Sequence, residues 1–294
     1  MDNPIFNLHR LVGLENDNPK MHRITLEFDD IIKTGCIEMP EETLQSISYA
    51  FFDIEKEFIK LEKFLLNYFK IVNETFKKLK SGTAVTYTHN TAQWDNPSYQ
   101  LHDIFRDFLM TCAIILRYRT KISKLAFNDS KLEEHKYFRK FINEQLESKK
   151  EKLGEEAFLA TVNMLNEDRG WLSELIRFRD QAEHVENETL QLTDFSFTFK
   201  TPNDMLVTPP MLAAVNKSCR NYMAETFYNL YTFMEDFIAM IFNLLCIEHV
   251  EIIKVKNDEP NDYEDKPNDL GNYEYRINLK QNLLKRLVND SEKH

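Results

Sequence analysis

Residues 41–80, EETLQSISYAFFDIEKEFIKLEKFLLNYFKIVNETFKKLK, decide the fold. Leu44, Ile47, Phe51, Ile54, Phe58, Leu61, Leu65, Tyr68 and Val72 recur at intervals of three and four, so one face of a helix is apolar from end to end. Pro40 suits a helix start, and Glu41 and Glu42 suit the positive end of the helix dipole. Ser81-Gly82 supplies the stop. A helix of this length buries its stripe only against other long helices, which predicts a bundle.

The rest of the chain fits that expectation. A second helix is predicted from near Pro97 to about Phe127, with Leu101, Phe105, Phe108, Cys112 and Ile115 in its core stripe. A charged helix follows over 131–151, then a fourth from Glu155 to about Val185, and a fifth, very apolar, from Met211 to Glu248. The stretch 83–98 reads as a polar loop. Ile24, Leu26 and Phe28 alternate, which predicts a short strand or hairpin there. Leu192, Phe195, Phe197 and Phe199 alternate as well, and Met205–Thr208 is placed to pair with them. VEIIKVK and NYEYRINL are candidate strands on either side of an acidic stretch. The fold class is thus mainly α, a long-helix bundle with small β hairpin additions. The expected organisation is an extension with short strands over 1–39, a bundle over 40–248 with a hairpin insertion near 190–208, and an extension with an acidic loop over 249–294.

Six glycines and nine prolines in 294 residues leave few turns, in keeping with long elements. The net charge of −11 argues against broad, phosphate-driven nucleic-acid binding but leaves room for a small site. The densest basic stretch, Arg117, Arg119, Lys121 and Lys124, is a candidate local patch. The longest apolar run, Phe237–Ile247, is too short to span a bilayer, which needs about 20 residues. No signal-peptide pattern appears in MDNPIFNLHR, so the expected location is cytoplasmic, with no membrane partner. Cys36, Cys112, Cys219 and Cys246 form no CxxC motif and read as buried reduced thiols.

Most catalytic patterns are absent. No HExxH or helical His pair suggests a metal, no GxSxG a nucleophile elbow, and no Gly-rich loop a phosphate cradle. No cofactor is expected. Trp94 and Tyr99 have the chemistry to stack on bases, although a tryptophan in a loop more often anchors that loop to a core.

One constellation carries chemistry: WLSELIRFRDQAEH, residues 171–184. At about 100° per residue, Ser173, Arg177, Asp180 and His184 form one polar stripe, while Leu172, Leu175, Phe178 and Ala182 form an apolar one. Arg179 lies at the margin, in reach of Glu183. As plain structure, Asp180–His184 and Arg179–Glu183 are ordinary i,i+4 pairs.

The run RDQAEH, Arg179-Asp180-x3-His184, resembles the signature of the HEPN superfamily, helical nucleotide-binding domains frequent in prokaryotic defence and toxin systems. Arg177 meets the same spacing tolerance but is followed by Phe178 where the family carries a polar residue, so both arginines remain candidates, Arg179 first. The resemblance implies a bundle of four or five helices, a homodimer, and a metal-independent endoribonuclease acting on RNA through His184, Arg179, Asp180 and Arg177. In that chemistry the 2′-hydroxyl attacks the adjacent phosphodiester, a neutral imidazole takes its proton, and a guanidinium meets the phosphoryl charge. The alternatives are a non-catalytic helical interaction module with a protein partner in a defence or stress system, and a nucleotide-binding regulator.

Overall fold

A computed structural model describes residues 22–88, 91–128, 135–153, 155, 158–159, 161–163, 168–183, 190–201, 204–247, 250–254 and 275–279. Seven helices lie among them: α1 Arg23–Lys33, α2 Glu41–Lys80, α3 Ser98–Phe127, α4 His135–Ser148, α5 Lys150–Leu153, α6 Arg169–Glu183 and α7 Cys219–Leu245. The strands form two-stranded antiparallel pairs: β1 Val85–Thr88 with β2 Thr91–Trp94, β3 Ser196–Thr201 with β4 Asp204–Thr208, β5 Met211–Leu212 with β6 Lys217–Ser218, and β7 Val250–Lys254 with β8 Tyr275–Leu279. The fold is mainly α with small β additions. Among the described residues no helix is long and apolar enough to cross a membrane.

The chain divides into two compact units. One comprises residues 1–59, 115–168 and 232–294, the other 60–114 and 169–231. α2, α3 and α7 contribute residues to both.

In the first unit, Phe28, Phe51 and Phe242 meet with centroid separations of 5.7–6.0 Å, joining α1, α2 and α7. Each such pair adds about 0.5–1.5 kcal/mol beyond its buried area. Polar contacts fasten the same three helices. Arg23 donates from Nε and Nη2 to the two oxygens of Glu235, both at 2.5 Å. Glu55 takes His22 Nδ1 on one oxygen at 2.5 Å and the Thr25 hydroxyl on the other at 2.6 Å. Both carboxylates are buried. On the far side of α7 the Asn243 amide receives the Ile252 N–H at 2.6 Å and donates to its carbonyl at 2.7 Å, which seats β7.

In the second unit, Tyr222 of α7 packs edge-on against Phe105 of α3 and Phe178 of α6, with centroids 6.0 and 5.5 Å away. Leu172, Leu175 and Phe178 are the buried face of α6, the apolar stripe its spacing predicts. Trp94 of β2 packs against Phe195 and, edge-on at 5.0 Å, against Phe197 of β3. It anchors one hairpin to another, the commoner of its two readings.

Gly82, at φ +72, closes α2 where Ser81-Gly82 predicts its end, with the Thr83 N–H bonded to the Lys78 carbonyl at 2.9 Å. Asn96 caps α3, its Oδ1 accepting the Ser98 N–H at 3.0 Å and the Ser98 hydroxyl at 2.6 Å. Of the aromatic and apolar positions Phe227, Tyr231, Met234, Ile238, Ile241 and Leu245 on α7, the middle four are buried and Phe227 and Leu245 are half-buried.

Several expectations are corrected. Residues 24–28 are helical, not a strand: Ile24, Phe28 and Ile31 are buried at helical spacing, and Gly35, at φ +71, follows the end of α1. The stretch 83–98 contains β1–β2, with Val85 opposite Trp94 and Tyr87 opposite Ala92. α6 begins at Arg169, after a turn at Asp168, rather than at Glu155, although helical residues also occur within 155–163. α7 begins at Cys219 rather than Met211. Asn216 adopts a left-handed conformation at φ 49, which stops a helix, and the Ser218 hydroxyl accepts the Asn221 N–H at 3.2 Å as the true N-cap. The 190–208 hairpin and the two candidate strands near the C-terminus form as expected, while the acidic stretch between the latter lies outside the described residues.

Two predictions follow from the interactions that hold these elements. Arg23→Ala leaves Glu235 buried without its guanidinium, and urea denaturation should read a loss of about 3–5 kcal/mol. A variant as stable as the parent would show that this pair does not hold α1. Asn216→Gly should be stable to within about 0.5 kcal/mol, whereas Asn216→Val should lose about 1–2 kcal/mol because a β-branched side chain resists positive φ. Equal melting of the two would refute the assigned turn.

Candidate functional site

α6 carries the residues singled out by sequence. Its apolar face is sealed by Phe178 against Tyr222, which fixes the rotation of the helix. Ser173, Arg177 and Asp180 consequently face solvent. Arg179 lies at the margin, its side chain 18% exposed. Its Nε is 2.9 Å from Asp180 Oδ1 and its Nη1 donates to Glu183 Oε2 at 3.2 Å. The guanidinium is therefore neutralised by two acids of its own helix.

Arg177 differs. Its guanidinium lies over the Phe178 ring at 4.7 Å, and among the described residues no carboxylate is ion-paired with it. Arg177 and Glu174 are both close enough to act on the Tyr222 hydroxyl. Burial raises that hydroxyl's pKa, Glu174 raises it further, and Arg177 draws it down. His184, the next residue after Glu183, lies outside the described residues. The structure thus brings together Arg179, Asp180 and Glu183, and places Arg177 on the open stripe.

In the basic stretch of α3, Arg117 and Lys121 are exposed, whereas Arg119 turns inward. The Arg119 guanidinium lies 5.8 Å above the Phe233 ring, and burial pulls its pKa down to about 10. Lys121 is 3.6 Å from Asp53 and 5.3 Å from the centre of the Tyr118 ring. Arg119 thus serves the packing of the first unit, and Lys121 a surface pair. His102 also has a structural role, its Nε2 meeting the Thr193 carbonyl at 3.0 Å.

A groove in the second unit joins Trp94 and Tyr99 to residues of α2 that the sequence does not single out together. It measures about 750 Å³ and runs between the C-terminal part of α2 and the entry to α3. Lys70, Glu74 and Lys78 come from one face of α2, and Trp94, Asp95 and Tyr99 from the opposite wall. Tyr99 is 78% exposed, so its ring face is available for stacking. Lys70 and Lys78, eight residues apart, stand about 12 Å from each other along the helix. The signal was legible in principle, since 70, 74 and 78 share one helical face, but a lysine pair flanking a glutamate is also what any solvated face looks like.

Among the described residues no three His, Cys, Asp or Glu side chains converge as a metal-binding group. No family model matches the chain, and no curated protein or solved structure is significantly similar to it.

The Arg179–Glu183 contact should behave as a surface pair. A double-mutant cycle on Arg179→Ala and Glu183→Ala should give a coupling of about 0.3–0.5 kcal/mol in thermal or urea unfolding. Coupling above about 2 kcal/mol would mean that Arg179 holds more of the unit together than its own helix.

Proposed function

We propose that this chain is a HEPN-like helical protein that cleaves RNA without a metal, with His184 moving the proton and Arg177 receiving the phosphoryl charge. The observation that carries this reading is the division of labour on α6. Arg177 is exposed without an ion-paired acid among the described residues, whereas Arg179 is paired with Asp180 and Glu183. A phosphate competes with the acids already beside a guanidinium, and Arg179 has two where Arg177 has none ion-paired among the described residues, which favours Arg177. Arg179 then acts as a positioning residue, holding Asp180, four residues before His184 in sequence.

In the proposed reaction the His184 imidazole takes the proton of an RNA 2′-hydroxyl, whose oxygen attacks the adjacent phosphorus. Asp180 orients the imidazole and favours its protonated form. The guanidinium of Arg177 meets the charge that develops on the phosphoryl oxygens. The 5′-oxygen leaves with a proton from a second acid, and a 2′,3′-cyclic phosphate remains. One His184 does not reach both sides of the phosphorus. A two-fold dimer, which presents a second His184, supplies the acid. The groove with Lys70, Lys78 and Tyr99 supports an RNA substrate, because cations and an open aromatic face are what a single strand uses.

The net charge of −11 favours the second reading, a non-catalytic helical or nucleotide-binding module with a protein partner in a defence or stress system. One experiment separates the two. The full chain is incubated with a panel of labelled single-stranded RNAs in EDTA and the ends of the fragments are mapped. Cleavage leaving cyclic phosphates is expected, falling about 10²–10⁴-fold in His184→Ala. Arg177→Ala should lose more activity than Arg179→Ala. If parent and His184→Ala leave every RNA equally intact, the nuclease reading fails. A nucleotide-dependent rise in melting temperature would then mark a binding module.

A further inference from the structure

Two cysteines separated by most of the chain meet in the first unit. Cys36 lies in the segment after α1, and Cys246 directly follows α7. The Cys36 carbonyl accepts the Ile247 N–H at 2.9 Å, and the Glu38 N–H reaches the Leu245 carbonyl at 2.8 Å. Between these bonds Ile37 and Cys246 form an antiparallel bridge. Segments paired in this way run about 4.7–4.9 Å apart. Cys36 lies opposite Ile247, one residue out of register with Cys246, so the two Cα atoms are separated by this spacing plus one residue's rise, roughly 6 Å, within the about 4.4–6.8 Å that a disulfide spans. The side chains complete the approach, since the Cys246 thiol is hydrogen-bonded to that of Cys36.

We propose that Cys36 and Cys246 are an oxidisable pair that closes to an intrachain disulfide and locks the segment after α1 to the end of α7. The assignment is independent of the RNA reading. It rests on the closeness of the two backbone segments and on thiol contact, and the chemistry of the two sulfurs supports it. Cys36 is drawn down to about 6, first by the hydrogen bond from Cys246, then by the Thr34 side chain and its own backbone, against the opposing effect of burial. This direction favours the thiolate, the form that attacks. The other two cysteines behave in the opposite way. Burial holds Cys112 well above the usual thiol range and pushes Cys219 up to about 12. Cys36 keeps 5% of its surface in solvent and Cys246 keeps none, which sets the order of attack.

The oxidant is a hydroperoxide. The Cys36 thiolate attacks one peroxide oxygen, the O–O bond breaks, and the sulfur becomes a sulfenic acid as hydroxide leaves. That hydroxide takes the Cys246 proton and becomes water. The Cys246 thiolate then attacks the sulfenic sulfur, the S–O bond breaks, and a second hydroxide departs. Two electrons pass from the sulfur pair to the peroxide.

The test uses the full chain, reduced and then treated with hydrogen peroxide. Free thiols are blocked with iodoacetamide and peptides are mapped by mass spectrometry without reduction. The expected result is a single linked pair of peptides carrying Cys36 and Cys246, two hydrogens lighter than their sum and separated again by dithiothreitol. The far-ultraviolet circular dichroism should be unchanged, and the melting temperature should rise on the order of 5 °C, because closing so long a loop restricts the unfolded chain. In Cys246→Ser, Cys36 should stop at the sulfenic acid and be trapped by dimedone. Persistence of both thiols in the parent would overturn the proposal. So would a link to Cys112, Cys219 or a second chain, or progress of Cys36 to the sulfinic acid while Cys246 stays free.

Discussion

Two buried carboxylates, Glu55 on α2 and Glu235 on α7, set the terms on which the first unit is built. Neither can stay ionised in an apolar interior without partners, because the desolvation cost reaches several kcal/mol. α1 supplies those partners from its first turn, with His22 and Thr25 for Glu55 and Arg23 for Glu235. The same helix inserts Phe28 between Phe51 and Phe242. Apolar packing alone would tolerate several rotations and slides of α1 over its neighbours. The paired charges favour the observed one, since a slide of α1 would part Arg23 from Glu235 and Thr25 from Glu55. Buried ion pairs are poor sources of net stability, but they do select among alternatives.

The long helices were legible because periodicity and punctuation agreed. Over 41–80 the apolar stripe, the Pro-Glu-Glu start and the Ser-Gly stop all pointed to the same limits, and the helix keeps them. The failures came where local signals were few. Ile24, Leu26 and Phe28 alternate, yet Ile24 and Phe28 are also one helical turn apart. Only Ile31, read as a continuation, tips the balance to a helix. The start of α7 was obscured by the apolar run Met211–Val215, which looks helical until Asn216 turns left-handed and Ser218 provides the cap. Val85, Tyr87, Ala92 and Trp94 are too few and too mixed with threonines to announce β1–β2, whose pairing is set in part by Trp94 reaching Phe197.

The site was legible as a stripe but not as a set of partnerships. The helical wheel placed Arg179 at the edge of the apolar face and within reach of Glu183, and both hold. It could not say that Asp180 would join them and leave Arg177 as the open guanidinium, because that depends on which rotamers the packed margin of α6 permits. The groove beside α2 and the Cys36–Cys246 contact were more deeply hidden. Each joins residues from distant segments, and only the folded register brings them within reach.

The two tryptophans, Trp94 and Trp171, both fall in the second unit. Indole emission is therefore a local instrument in this protein. It follows the environment of the β2 hairpin and of the first turns of α6, while the aromatic core around Phe28, Phe51 and Phe242 is dark at those wavelengths. An unfolding curve taken by tryptophan fluorescence and one taken by backbone dichroism need not coincide, and any gap between them measures how far the two units melt as one.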